Sequence, residues 1–403
     1  MDIGDGKKDK VMRLKTVGSV RQKVLAVVRN YMMYFALVAI MLFFTQRTNG
    51  RFFQAKNISD LFNQSAYVGV LAIGMTLILI LRHIDLSVGY VAGFSGAIAA
   101  ILLANGMNVI LAIFLVLLLG LAIGMYQGLV VTRIGVPAFV VTLAGMFIFR
   151  GLLALSLQKT GTIIISNPIF ISLCQGFLPD IPGHGLGFHL VTMILALILV
   201  VWFAVSRIRS RRKSIAYRFQ VSHPLTFVFQ LLVVSAVILY IFYMLASFNG
   251  LPWSAVIVAI VLFIYHFVLN NTRIGRYIYA IGGSTQAAEL AGINVKLVTS
   301  IAFASMGFLA ALAGMLYASR LSSATPQAGV GFELDAIASG YIGGVAVSGG
   351  IGKVTNTIVG TLVIMSLTNG MNLLGIDISL QYIVKGLIFI IAVAFDVRTR
   401  LRR

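Results

Sequence analysis

One cysteine, Cys174, stands among 403 residues, so neither an intrachain disulfide nor a thiolate metal cluster can form. Charge is nearly as scarce. Only 10% of residues are charged and 59% are hydrophobic, whereas soluble domains carry about a quarter charged residues. A soluble globular protein is thereby excluded, and a polytopic membrane protein is left. Proline falls to 7 while glycine reaches 40, the balance of helices that pack through small residues. Acidic residues number 11 against 31 basic ones. In a soluble chain the net charge of +20 would point to nucleic acid; here the cytoplasmic bias of Lys and Arg in membrane proteins explains it, and no nucleic-acid partner is expected.

Apolar runs able to cross about 30 Å of hydrocarbon, or nearly so, fall at 30–46, 66–82, 88–104, 109–131, 137–157, 188–206, 226–246, 252–270, 297–318, 334–349, 354–373 and 379–396. The expected fold is an all-α polytopic membrane protein of about 10–12 transmembrane helices with a short cytoplasmic helix. A basic segment, 1–29, precedes the membrane domain, 30–396, and a basic tail, 397–403, follows it. No signal-peptide cleavage site is evident, so the first run reads as a retained span. Val11–Val28, basic with apolar residues interleaved, suits either an anionic membrane surface or a solvated tail.

An even number of spans places both termini on one side. With the basic segment inside, only Arg47, Arg51, Lys56, Lys159 and Arg320 fall outside, and Arg150 and Lys385 lie within apolar runs. The remaining basic residues are all inside, which specifies cytoplasmic termini. Run 334–349 is short and rich in glycine, the composition of a re-entrant or broken helix. The pair 188–246, with Arg207, Arg209, Arg211, Arg212 and Lys213 at its bend, reads as an added helix pair. Asn105-Gly106-Met107-Asn108 recurs as Asn369-Gly370-Met371-Asn372, a trace that a duplicated transporter half would leave.

The longest polar stretch between two runs in the C-terminal half is 271–296, which carries Glu289, one of only two glutamates. Gly282 and Gly283 break what precedes, Ser284 or Thr285 can cap a start, Gln286 to Ala291 favour helix, and Gly292 sits where a left-handed C-cap belongs. A short helix closed at both ends suits a handle by which a soluble partner moves the membrane part. An ordinary structured loop is the plainer alternative.

Few residues can carry chemistry. Asp85, Glu333 and Asp335 lie beside or within apolar runs, where an ionisable group is a functional hypothesis by default. Asp85 can equally cap the helix after it, and Glu333 and Asp335 can cap theirs from outside. Arg150 needs a partner, water or the bundle interior. Gly93-Phe94-Ser95-Gly96 and His266 to Asn270 resemble pieces of an intramembrane serine protease, but in the wrong order; small-residue packing explains the glycines. Gly350-Ile351-Gly352-Lys353-Val354 lacks the first glycine and the hydroxyl of a phosphate loop. No catalytic residue, metal site or cofactor is expected. An ion-coupled carrier remains the alternative to a chain driven by a separate ATPase, which is what the handle serves.

Arg276 to Val295, together with Ile84-Asp85-Leu86-Ser87-Val88-Gly89, Pro137 to Gly145, Ile342-Gly343-Gly344 and Ser348-Gly349-Gly350, closely resembles the permease subunit of bacterial monosaccharide ABC importers of the ribose and xylose type. The added pair resembles the longer xylose or multiple-monosaccharide permeases. The resemblance implies an inner-membrane homodimer, two copies of a cytoplasmic ATPase subunit that binds ATP and magnesium, and a periplasmic sugar-binding protein on the outer face. It makes Gly283, Gln286, Ala287, Ala288, Glu289 and Gly292 the coupling helix against the ATPase. Asp85, Ser87, Arg150, Asn369 and Asn372 are candidates to line the path, with Ser366 and Thr368 as further hydroxyl partners, core packing with local backbone bonds being the plainer alternative, and Glu333 and Asp335 are candidates to meet the outer partner. Arg82-His83 departs from the family pattern, which leaves the part played by that turn open.

Overall fold

The computed structural model describes residues 33–182, 187–219, 221 and 223–401, with side chains at 392 and 395–401 left out. The basic segment 1–29, Val11–Val28 within it, and residues 402 and 403 of the tail lie outside the described residues.

The chain is a helical bundle. In order it forms α1 (Met33–Arg47), α2 (Ala55–Ile80), α3 (Val88–Ala104), α4 (Val109–Leu129), α5 (Ala138–Leu157), α6 (Pro168–Gln175), α7 (Leu190–Ala216), α8 (Pro224–Ala246), α9 (Trp253–Asn271), α10 (Arg273–Gly283), α11 (Thr285–Leu290), α12 (Val295–Leu321), α13 (Phe332–Ile342), α14 (Val354–Leu373) and α15 (Ile378–Leu401). Among the described residues, 8 helices are long and apolar enough to cross a membrane, and α1, α3 and the start of α15 are shorter apolar helices. The only strands described, Ile163–Ile164 and Ser323–Ala324, pair antiparallel at one end of the bundle.

Two helices sit at the centre. α2 and α12 bury residues along most of their lengths, and glycines let their neighbours come to backbone contact. Gly120, Gly124 and Gly128 of α4 recur every fourth residue and lie against Gly307, Phe303 and Ser300 of α12. A Cβ on Gly124 would stand 2.2 Å from the Phe303 carbonyl oxygen. Gly314 meets the backbone of Ala92 on α3 as closely. Such small-residue faces replace the hydrophobic driving force that lipid does not supply. α7 and α8 form a peripheral hairpin, with only 11% and 0% of their most apolar stretches buried.

α2 starts at Ala55, well before the apolar run at 66. Its polar first turns find partners inside the protein: Asn57 bonds Asn369 at 3.0 Å, and Asn63 accepts from the Ser254 hydroxyl at 2.5 Å. Hydropathy alone hides such a start. The helix α6 was likewise unexpected, and Asn167 caps it by accepting from the amides of Ile169 and Phe170.

Run 334–349 is a broken helix, as its glycines suggested, and not a continuous span. α13 has 11 residues, about 16 Å at 1.5 Å per residue, roughly half of a 30 Å hydrocarbon layer. Residues 343–353 are loop. α13 starts beside Tyr67, halfway along α2, where the Phe332 and Tyr67 rings lie 4.7 Å apart, and its Gly340 reaches Leu79 at the end of α2. The crossing is completed by the non-helical 322–331. The segment 81–87 leads into α3 in the same way, and Gly89 lies against Gly329 and Glu333. Two broken spans thus start their helices at one mid-level and run in opposite directions, an inverted arrangement.

The tetrapeptide repeat does not mark this relation. Asn105 and Gly106 end α3, and Asn108 caps α4, whereas Asn369 to Asn372 lie inside α14. The same four residues do different work. For the packing itself, Gly124→Val should lower stability by about 1–3 kcal/mol through overpacking, and Gly151→Ala, with nothing within 4 Å of its Cβ position, should leave thermal unfolding in detergent unchanged. Equal melting temperatures for the two variants would show that the α4–α12 contact is not close-packed.

Candidate functional site

The polar stretch 271–296 folds as two helices. α10 buries Gly275, Ile278, Ile281 and Gly282 against the bundle. α11 is the closed short helix: Ser284 accepts from the Ala287 amide at 3.2 Å, and Gly292 takes φ 78 after it. The amides of Gly292 and Ile293 return to the carbonyls of Glu289 and Ala288 at 2.9 and 3.0 Å, which satisfies the end of the helix as a left-handed cap should. Gly283, Gln286, Ala287, Glu289 and Gly292 are exposed. Ala288 is turned inward at 3% exposure, so it seats the helix on the body and offers a partner nothing. The side chain that does stand out is Leu290, 91% exposed. A leucine in an otherwise polar loop was the available signal for it.

Below this handle the backbone of three segments meets. The Gly350 amide donates to the Ile80 carbonyl at 2.9 Å, and a Cβ on Gly282 would lie 1.9 Å from the same oxygen. Arg82 holds the joint. Its Nε donates to the Gly282 carbonyl at 2.7 Å and its Nη2 to the Gly283 carbonyl at 2.6 Å, closing the end of α10. Arg82 has φ 65, a left-handed conformation that costs an L residue about 1–2 kcal/mol. Two charge-assisted bonds and a cation at a helix C-terminus offset that cost. Beside it His83 packs on the Phe303 ring, the ring centres 5.9 Å apart. The turn left open by the sequence is therefore the joint between the handle and both broken spans: 81–87 leads into α3, and the 343–353 loop ends α13. The near-match to a phosphate loop, Gly350 to Val354, is part of this backbone contact.

Above the joint, Asp85 is buried and accepts from the Ser87 amide and hydroxyl at 2.9 and 2.7 Å. Ser87 is the N-cap residue of α3 and bonds Gln127, whose Nε2 donates to it at 2.9 Å. Both polar side chains are thus committed to shaping the entry of the broken span. Glu333 is 8% exposed, lies in the first turn of α13 and sits over Gly89. Asp335 pairs with Lys385 on α15 at 3.0 Å. The N-cap of α13 is Gly331, and no side chain caps it. Glu333 and Asp335 thus stand at mid-bundle and not at its outer end. Helix N-termini, positive by their unpaired amides, favour carboxylates at this level.

The remaining candidates do not join them. Asn369 is turned toward α2, bonded to Asn57 and Gln64. Asn372 accepts from Gln381 at 2.8 Å near the start of α15. Ser366 is fully buried, and Thr368 bonds its own helix at Ile364. Arg150 is exposed on α5, its guanidinium carbon 5.8 Å from the Tyr90 ring centre. Ser95 is buried on α3 while His266 bonds Asn270 on α9, so no serine–histidine pair is assembled. Between α13, α15 and residues 84–86 lies a cleft of about 480 Å³.

A family profile described as "Branched-chain amino acid transport system / permease component" matches residues 57–212 and 186–393. The chain belongs to this permease family. It is 38% identical over 367 residues to the xylose transport system permease protein XylH of Haemophilus influenzae, covering 91% of this chain and 95% of that one. To XylH of Escherichia coli K12 it is 36% identical over 373 residues, 92% of either chain. To the ribose import permease protein RbsC of Escherichia coli K12 it is 33% identical over 345 residues, 86% of this chain and 87% of that one. No solved structure matches the chain.

If Arg82 ties the handle to the joint, Arg82→Ala leaves two carbonyls without their charged donor, a loss of about 1.5–3 kcal/mol. Amides of 281–286 should then exchange with deuterium roughly ten- to a hundredfold faster, with exchange in α4 and α12 unaltered. Unchanged protection of the handle would show that Arg82 does not hold it.

Proposed function

We propose that this permease is the translocating subunit of an ATP-driven importer of a monosaccharide. The observation that carries the proposal is the handle: a capped helix, exposed on the outside and fixed beneath by Arg82 to both broken spans. A rigid element transmits rigid-body movement, and a flexible loop would lose it. An ion-coupled carrier has no need of such an element, and nothing in the comparisons favours that alternative. The family description names branched-chain amino acids, but the relatives that match 91% and 86% of the chain carry the names of xylose and ribose. A pentose such as xylose or arabinose, or a similar monosaccharide such as galactose, is accordingly the cargo.

In this scheme two copies of the chain form the pore, two ATPase subunits seat on the α11 handles, and a periplasmic binding protein delivers the sugar. ATP and magnesium belong to the ATPase, and no covalent chemistry takes place in the permease. The inner membrane is its location, with both termini in the cytoplasm. The basic residues 207–218 end α7 at the handle end of the bundle, which supports that orientation. Docking on the ATPase falls to Leu290 and Glu289, with Gln286 and Ala287 beside them. An exposed apolar anchor with a charged neighbour is the pattern of a binding hot spot.

Co-purification with the ATPase subunit tests the scheme. Leu290→Asp and Glu289→Arg should each weaken assembly by about thirtyfold, as loss of a hot-spot contact does. Gly292→Pro, which cannot take φ 78, should abolish stimulation of ATP hydrolysis by sugar-loaded binding protein. An intact complex with normal stimulation in all three variants would leave α11 a plain loop and remove the ground for ATP-driven import.

A further inference from the structure

The cleft runs from the start of α13 toward the handle end, bounded by α13, α15, residues 84–86 and Phe139 of α5. Its volume, about 480 Å³, falls within the roughly 300–1,000 Å³ of small-molecule sites. The walls are aliphatic and aromatic, with Tyr341, Tyr382 and Phe389 among them. One charged pair interrupts them. Lys385 Nζ lies 3.0 Å from each carboxylate oxygen of Asp335, and the two side chains remain 19% and 15% exposed, so the pair faces the cleft and is not sealed behind it.

Stability does not account for such a pair. A buried ion pair is commonly no better than apolar side chains of the same volume, and charge at membrane depth is a functional hypothesis by default. Its chemistry suits one class of ligand. The ammonium has three protons and the carboxylate about four acceptor positions, and their mutual contact leaves both a donor and an acceptor free side by side. Two neighbouring sugar hydroxyls present the complementary acceptor and donor, while the carbon face of the ring can lie on the aromatic wall. Of the hydroxyl partners sought elsewhere, Ser87 is committed to Asp85, Asn369 to Asn57 and Thr368 to its own helix, and Ser366 is sealed inside the bundle.

We infer that Asp335 and Lys385 form a weak station that reads neighbouring hydroxyls of a monosaccharide in the cleft, and that they set the preference of the permease among sugars. The inference rests on the sugar-import function proposed above. A single polar pair on an otherwise apolar wall orients the sugar without holding it, which conduction requires: binding must favour entry yet allow departure. The sugar-binding protein can bind tightly because it releases its cargo by changing shape. A tight site in the path would stall transport.

The test uses the whole complex of permease, ATPase and binding protein in liposomes. Uptake of the transported pentose is compared with uptake of its deoxy analogues, each lacking one hydroxyl, for wild type, Asp335→Asn, Lys385→Met, Lys385→Arg and the double change Asp335→Leu with Lys385→Leu. Sugar is loaded at concentrations that saturate the binding protein with either compound. The ratio of the two uptakes is internal to each preparation, so loss of folded complex cancels from it. We expect the wild type to prefer the parent sugar over one analogue and the preference to shrink by about tenfold in Lys385→Met and in the Leu pair, the scale of one hydrogen-bonded contact. Lys385→Arg should retain it. An unaltered ratio in all variants overturns the station, and so identifies the pair as structural or the cleft as a lipid site. If the wild-type complex imports no monosaccharide, the sugar-import function fails and the station with it; import with an unaltered ratio removes the station alone.

Discussion

Backbone amides and carbonyls inside an apolar bundle must be satisfied within the protein, because lipid offers them nothing. At 81–87 and 322–331 this chain leaves helical geometry in its interior, and the arrangement around those two segments follows from that constraint. Asp85 takes up the Ser87 amide at the entry to α3, Thr142 donates to the Ile84 carbonyl, and the Ile165 amide donates to the Ser322 carbonyl beside the strand pair of the far segment. Glycines on both sides let the two segments touch, since Gly89 and Gly329 leave no room for a side chain. A broken span is weaker than a continuous one, and that weakness is what an alternating pathway can use.

Rigidity is supplied elsewhere. α4 packs on α12 through backbone contact at Gly120, Gly124 and Gly307, and α2 is buried along most of its length. The broken spans pack against this frame, and both meet the joint that Arg82 and Gly350 make with α10. α10, which leads into α11, is thus tied to the interior by a few hydrogen bonds of 2.6–2.9 Å. The strain of a left-handed arginine at this joint is offset by its two bonds to the carbonyls that end α10; it marks a point where geometry has been kept at a cost.

Much of this was legible in the sequence, and the parts that were not failed for physical reasons. Long apolar runs gave α4, α5, α9 and α12, because lipid demands continuous hydrophobicity. Caps gave α11 at both ends, since Ser284 and Gly292 act locally. Run 334–349 was flagged by its glycines, though only the structure divides it into α13 and a loop. Polar residues that are satisfied by distant partners remained opaque: the start of α2 at Asn57, bonded to Asn369, carries no local sign of burial. Asp335 and Lys385, 50 positions apart, are brought together by the return of α15. Arg82 was conspicuous as a departure from pattern, yet its partners lie 200 residues away.

The placement of charge completes the argument. Acidic residues are few, and two of them, Glu333 and Asp335, stand in the first turn of α13 at mid-bundle, where the unpaired amides of a helix start lower the cost of a carboxylate. Without the break in the span there would be no helix start at that depth. Nothing would then offset the desolvation of Asp335 except Lys385, whose own charge is equally costly to bury. The break therefore makes the interior hospitable to a pair of charges in a cleft otherwise lined by hydrocarbon and aromatic rings. A continuous helix across the bilayer would have offered no helix start at that depth, so the short α13 is what allows a charged pair inside this cleft.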